Sequence, residues 1–62
     1  MDFEKRIDEN YSYLTATDRL MVQEIRQNKE LIRTMNSTQL ARHLGVSRTT
    51  LVRMLKKLGI ST

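Results

Sequence analysis

Basic and hydroxyl side chains are concentrated between residues 47 and 57, and their types suit contacts with the edges of DNA bases. Thr49, Arg53 and Lys56 recur at i, i+4 and i+7, so they fall on one line of a helix. Arginine pairs bidentately with guanine, and threonine can hydrogen-bond a base or pack its methyl group on thymine. A cationic face that is merely solvated is the alternative interpretation. The residues predicted to contact bases are Arg48, Thr49, Thr50 and Arg53.

A second group of residues in the same half of the chain suits contacts with phosphates. The free N–H groups at a helix N-terminus, together with the positive end of the helix dipole, favour an anion. Such N-termini are predicted at Ser37–Thr38 and at Ser47, with the hydroxyl of Thr50 beside the second. Basic side chains further along the helix or next to it can neutralise phosphates. The residues predicted to contact phosphates are Ser37, Thr38, Arg42, Ser47, Lys56 and Lys57.

The sequence offers little for catalysis or metal binding. His43 is the single histidine and there is no cysteine, so a metal ion would have no set of ligands at workable spacing. Asp8 and Glu9 are adjacent, so on a helix they point in different directions. Nothing resembles a Gly-rich phosphate loop or a serine with a histidine–acid pair. We expect no enzymatic activity, no metal and no cofactor.

The segment that carries the candidate residues has the pattern of two short helices joined by a tight turn. Asn36 can cap the first helix with Gln39 as its partner in a capping box, and Gly45 suits the left-handed conformation that ends a helix. Ser47 can cap the second helix. Small Ala41 permits the close, steep crossing of a helix-turn-helix. The apolar positions predicted to fill the angle between the helices are Leu40, Leu44, Val46, Leu51 and Met54. The apolar stripe predicted for the second helix is Leu51, Met54, Leu55 and Leu58.

Three further helices are predicted ahead of this motif from apolar residues spaced by three or four. Thr15 and Asp18 can form a short capping box at the start of the second helix. Tyr11 continues the apolar face of the first helix four residues after Ile7, so we expect core or subunit-interface packing for Tyr11 and Tyr13. The predicted bounds are about 2–11, 15–28 and 29–34. The fold class is therefore all-α: a small five-helix domain containing a helix-turn-helix of the homeodomain-like type.

Charge is distributed unevenly along the 62 residues, which form a single domain with a net charge of +4. Residues 1–36 hold seven acidic and six basic side chains, whereas residues 37–62 hold five basic side chains and no acidic one. A wholly cationic half beside a balanced half is typical of a protein that binds a polyanion. The lack of cysteine fits a reducing cytoplasm, and the longest aliphatic run is far too short to span a membrane. We expect a cytoplasmic protein with no membrane partner.

One run of residues is more specific than a general helix-turn-helix pattern. It reads Gly-Val-Ser-x-x-Thr-x-Val-Arg-x-x-Lys-Lys-Leu-Gly from Gly45 to Gly59, and it is preceded by Leu40-Ala41, by Met35 before a cap, and by Leu14-Thr15 before Asp18. Over nearly the whole chain these features resemble the N-terminal domain of the RpiR family of bacterial transcriptional regulators. Thr49 stands where that family frequently has alanine, on the face predicted to read bases.

The resemblance implies a DNA-binding fragment of a regulator of sugar metabolism, with residues 1–62 as one domain and the motif at 36–59. Members of the family typically carry a C-terminal sugar isomerase-type domain that senses phosphosugars, and that domain is absent from these 62 residues. A phosphosugar effector is therefore expected to act only through the absent domain. The resemblance also implies a bacterial protein that associates with the nucleoid when it is bound to DNA.

The predicted partner is double-stranded DNA, bound by a homodimer with the helix at about 47–58 in the major groove. Two half-sites would then lie about 34 Å apart, and the first helix is the expected dimer contact. The alternative is a protein–protein interaction module built on a helix-turn-helix scaffold, whose binding would not respond to competing DNA. A membrane-surface helix is disfavoured because its apolar face is needed in the core, and RNA because all three aromatic residues precede the cationic half.

Overall fold

A computed structural model describes residues 3–60, and within them it contains five α-helices and no strand. The helices are α1 (Phe3–Asn10), α2 (Ala16–Gln27), α3 (Glu30–Thr34), α4 (Ser37–Leu44) and α5 (Arg48–Lys57), with a 3-10 turn at Tyr11–Tyr13. The all-α, five-helix prediction is confirmed. The predicted start of the first helix at Asp2 lies outside the described residues. None of the helices described between residues 3 and 60 is long and apolar enough to cross a lipid bilayer.

Reciprocal hydrogen bonds between side chains and backbone explain where α2 and α4 begin. Thr15 Oγ1 accepts from the Asp18 N–H at 3.1 Å, while the Thr15 N–H donates to Asp18 Oδ2 at 3.0 Å. Asn36 and Gln39 make the same pair of bonds at 2.8 and 3.1 Å. Each box satisfies N–H groups that have no partner within their helix. Both predicted capping boxes are therefore confirmed.

The hydrophobic core is one cluster to which all five helices contribute. The stripes predicted for α2 and α5 are buried, and α3 adds Leu31 with partial burial of Ile32 and Met35. Burying this apolar surface is the main favourable contribution to folding in so short a chain. The largest fully buried side chains are Ile7, Val22, Ile25, Leu51, Met54 and Leu58.

Tyr11 does not join the core, although the periodicity of the first segment places it there. α1 ends at Asn10, and the following 3-10 turn changes the rotation per residue, so Tyr11 leaves the face set by Ile7. Tyr11 is 44% exposed and Tyr13 is 70% exposed. The Arg19 guanidinium lies over the Tyr11 ring, 4.3 Å from its centroid, as a cation–π contact. Of the two predicted alternatives, core packing is therefore wrong for both tyrosines, and subunit-interface packing stays a prediction.

Two arginine contacts tie α1 to the rest of the domain. Arg26 on α2 meets Glu4 through two atoms, with Nη2 at 2.8 Å from Oε2 and Nε donating to Oε1 at 3.1 Å. Arg6 Nη1 donates to the carbonyl oxygens of Leu58 and Gly59, both at 3.4 Å. A cation at that position suits the negative end of the α5 dipole. α1 thus braces the C-terminal end of α5.

Candidate nucleic-acid interface

The turn between α4 and α5 fixes how the two helices of the motif cross. Gly45 ends α4 with a φ of 73°, which an L side chain adopts only at a cost. The Gly45 N–H donates to Arg42 O at 3.2 Å and the Val46 N–H donates to Ala41 O at 3.0 Å, which is the bond pair of a Schellman motif. Ser47 Oγ then caps α5 by accepting from the backbone N–H three residues later, at 3.1 Å. The predicted glycine and serine roles are confirmed.

α5 packs against α4 and α2 through the stripe predicted from the sequence. Ala41 on α4 is 3% exposed, as a close crossing of helices requires. Burial of one side of α5 fixes the rotation of the helix about its axis, so the opposite side is held toward solvent. The four buried side chains of α5 and its C-terminal end are Leu51, Met54, Leu55 and Leu58.

The side chains of α5 that face solvent line a shallow, open cavity of about 410 Å³. We call this side of the helix the outer face of α5. Four of its members are exposed and the fifth, Val52, is half-buried, and no acidic residue occurs in α5. Thr50 lies beside this face, half-buried, with its hydroxyl 2.8 Å from Ser47 Oγ. The structure thus brings three of the four predicted base contacts together with one predicted phosphate contact. The residues of the outer face are Arg48, Thr49, Val52, Arg53 and Lys56.

Lys57 differs from the other predicted phosphate contacts, because its side chain is directed toward α2. Its Nζ lies 2.6 Å from Oδ2 of Asp18, whose side chain is only 6% exposed. Burial raises the pKa of the Asp18 carboxyl, but hydrogen bonds from Lys57 and Thr15 outweigh that effect and leave the pKa below its ordinary value of 3.8. The Lys57 ammonium already neutralises a charge of its own chain, so we omit it from the phosphate contacts.

The other predicted phosphate contacts lie around the two helix starts and on α4. Ser37 is the first residue of α4 and is half-buried, and Thr38 after it is exposed. Arg42 is exposed in the last turn of the same helix. Ser47 is exposed at the start of α5, although its hydroxyl already accepts the cap bond. Three of these four side chains are thus exposed, and that of Ser37 is partly covered.

Comparison with known proteins identifies the family of the chain. A family model for the helix-turn-helix domain of the rpiR family matches residues 1–62. The chain belongs to the rpiR family. No curated protein and no solved structure matches it significantly. Membership implies a DNA-binding regulator, and rpiR-family helix-turn-helix domains are typically non-enzymatic.

Two residues of this rpiR-family domain, Val52 and Asp18, have positions at or near the site that the sequence analysis missed. Val52 follows Arg48 by four positions and precedes Arg53, so its place on the outer face was available from helical spacing. Asp18 was predicted only as a cap, and its bond to Lys57 joins residues 39 positions apart. No local signal announces such a contact, because it depends on how α5 docks on α2.

Proposed function

We propose that this domain binds duplex DNA sequence-specifically, as the DNA-reading part of a bacterial transcriptional regulator, with α5 in the major groove. The outer face of α5 carries the proposal, because it is exposed, basic and free of acidic residues while the other side of the helix is buried. The major groove is about 12 Å wide and admits an α-helix. A rotation of α5 about its axis by one residue position would expose its buried leucines to water, so the outer face is held toward solvent.

The proposed roles follow from position along α5. Recognition helices present their N-terminal residues to base edges and their more distal cations to phosphates. Arg48, Thr49 and Arg53 are therefore assigned to base edges, with Thr50 joining them at the first turn. The residues assigned to phosphates are Ser37, Thr38, Arg42, Ser47 and Lys56.

The quaternary state and the cellular role form part of the same proposal. We infer a cytoplasmic homodimer that regulates genes of sugar metabolism, with a phosphosugar effector acting through a domain outside these 62 residues. Exposed Tyr13, next to α1, supports a dimer contact there, because aromatic side chains are enriched at interfaces. Sedimentation of the chain with and without a duplex containing two half-sites tests this part, and a single copy on such a duplex would contradict it.

Selection of binding sites from random duplex DNA, repeated at several salt concentrations, tests the central part of the proposal. We expect a defined site, and we expect Arg53→Ala to weaken binding to it by about 1–3 kcal/mol while relaxing the preference at one base position, as for loss of a bidentate guanine contact. An unchanged preference would remove Arg53 from base reading.

Arg33→Ala provides the matched control for Arg53→Ala. Arg33 lies on α3, is exposed and pairs with exposed Glu30 at 3.3 Å, so its loss removes the same charge outside the motif. We expect its selected site to equal that of the unaltered chain. If instead no site is selected and a protein ligand binds equally well with excess DNA present, the interaction-module alternative replaces this proposal.

A further inference from the structure

Val52 is an apolar side chain in an otherwise polar and basic surface. It lies at the centre of the outer face of α5, four residues after Arg48 and four before Lys56, and it is half-buried. On the helix Val52 lies beside the buried stripe, next to Leu55, but its side chain lines the outer face together with Arg48 and Lys56.

The core gives no reason for a valine at this position. Five partly buried apolar residues of the described chain pack against the core cluster, and Val52 is not one of them. Helix formation gives no reason either, because β-branched residues lose side-chain freedom in a helix and are poorer helix formers than alanine. The position of Val52 is instead explained by what lies opposite it when α5 occupies a groove.

The major groove offers one apolar group among its donors and acceptors, the C5-methyl of thymine. Valine has no polar atom in its side chain, so setting it against a base donor or acceptor would leave that group without a partner at a cost. Setting it against a methyl group removes apolar surface of both partners from water. We propose that Val52 contacts the C5-methyl of a thymine and selects that base beside the position read by Arg53.

This inference rests on the proposed function and adds a base preference that arginine and threonine hydrogen bonds do not supply. It makes Val52 a specificity-determining residue, and the ligand feature that it recognises is a single methyl group. Burial of one methyl group corresponds to roughly a fourfold change in affinity. The contribution is therefore measurable at one thymine while binding as a whole is retained.

The test uses the selected duplex with each thymine replaced in turn by deoxyuridine, which removes the C5-methyl and keeps every hydrogen-bonding group of the base. For the unaltered chain we expect a loss of about fourfold in affinity at one thymine of each half-site. For Val52→Ala we expect the same replacement to change affinity by less than about twofold, since the partner of the methyl group has been removed. Lys56→Ala is the control, and it should retain the full deoxyuridine effect while binding all duplexes more weakly.

Helix content and thermal unfolding of Val52→Ala should match those of the unaltered chain, because alanine favours the helix. The deoxyuridine series with the unaltered chain also tests the methyl contact by itself, because it needs no protein variant. A flat deoxyuridine series, a selected site without a fixed thymine, or a methyl effect that persists in Val52→Ala would each overturn the role of Val52 while DNA binding stands. Failure to select any duplex would instead overturn the proposed function and this inference together.

Discussion

Lys56 and Lys57 are chemically identical neighbours that the fold places in different environments. Lys56 is exposed on the outer face of α5, whereas Lys57 lies against α2 with its ammonium on the Asp18 carboxylate. A charge on the outer face acts on a ligand, and a charge paired inside the domain acts on stability. Substituting each lysine in turn should therefore distinguish an effect on the proposed DNA binding from an effect on folding.

Lys56→Ala is expected to lower the slope of log K against log salt by roughly 0.9, the value for one neutralised phosphate, without changing thermal stability. Lys57→Ala is expected to leave that slope unchanged and to lower the free energy of unfolding, because it leaves the Asp18 carboxylate buried without its partner. DNA titrations at several salt concentrations and urea unfolding measure both. Lys29→Ala, which removes an exposed lysine outside the motif, is the control. The reverse assignment of effects would contradict the placement of the two ammonium groups.

At the scale of elements, α2 and α5 are joined by the ion pair between Asp18 and Lys57. Asp18 has two tasks, since its carboxylate also completes the capping box at the start of α2. Its lowered pKa means that the carboxylate form is stabilised by folding. This stabilisation is fully present above the ordinary, unfolded pKa of 3.8 and is lost as pH falls through the lower folded pKa.

Asp18→Asn is expected to reduce the free energy of unfolding at pH 7 by about 1–3 kcal/mol, because the buried position keeps its shape but loses the charge that binds Lys57. The difference from the unaltered chain should shrink as pH falls below about 4, where the unfolded carboxyl takes up a proton first, and it should vanish once pH has passed through the lower folded pKa. Urea unfolding across that range measures it, with exposed Asp8→Asn as the control. A difference that is constant with pH would show that the charge of Asp18 does not stabilise the fold.

The crossing of α4 over α5 depends on a small side chain at Ala41. Ala41→Leu should overpack the crossing and cost about 1–3 kcal/mol. In a domain of this size each kcal/mol lowers the melting temperature by about 4–8 °C. Ala16→Leu adds the same atoms at an exposed position in the first turn of α2 and should change little. Equal melting temperatures for the two variants would mean that the helices do not meet at Ala41.

The sequence predicted those features of the fold that depend on residues close together in the chain. Both capping boxes and the left-handed Gly45 depend on contacts within a few residues, and the stripe of α5 could be predicted from the helical spacing of its apolar residues; all are confirmed. The exposure of Tyr11 was missed because apolar spacing does not reveal that α1 gives way to a 3-10 turn after Asn10. The engagement of Lys57 was missed because it is set by docking of distant helices.

For the whole molecule, the uneven distribution of charge along the sequence corresponds to a domain whose α4 and α5 are basic. In α1 to α3 the charges are partly compensated by pairs such as Glu4–Arg26 and Glu30–Arg33. Among the described residues, Lys57 is the one lysine of α4 and α5 that forms an ion pair with an acidic side chain. The remaining cations there are exposed, so the surface potential is positive where the outer face of α5 lies. These four cations are Arg42, Arg48, Arg53 and Lys56.

The central claim is that the outer face of α5 enters the major groove with Arg53 on a guanine, and protection of guanine N7 from dimethyl sulfate tests it most directly, since N7 lies in that groove. With the selected duplex, the unaltered chain should protect guanine N7 within each half-site, and Arg53→Ala should lose that protection at one guanine while retaining the rest. Guanines that stay fully reactive in the complex, or an identical pattern of protection with Arg53→Ala, would contradict the account.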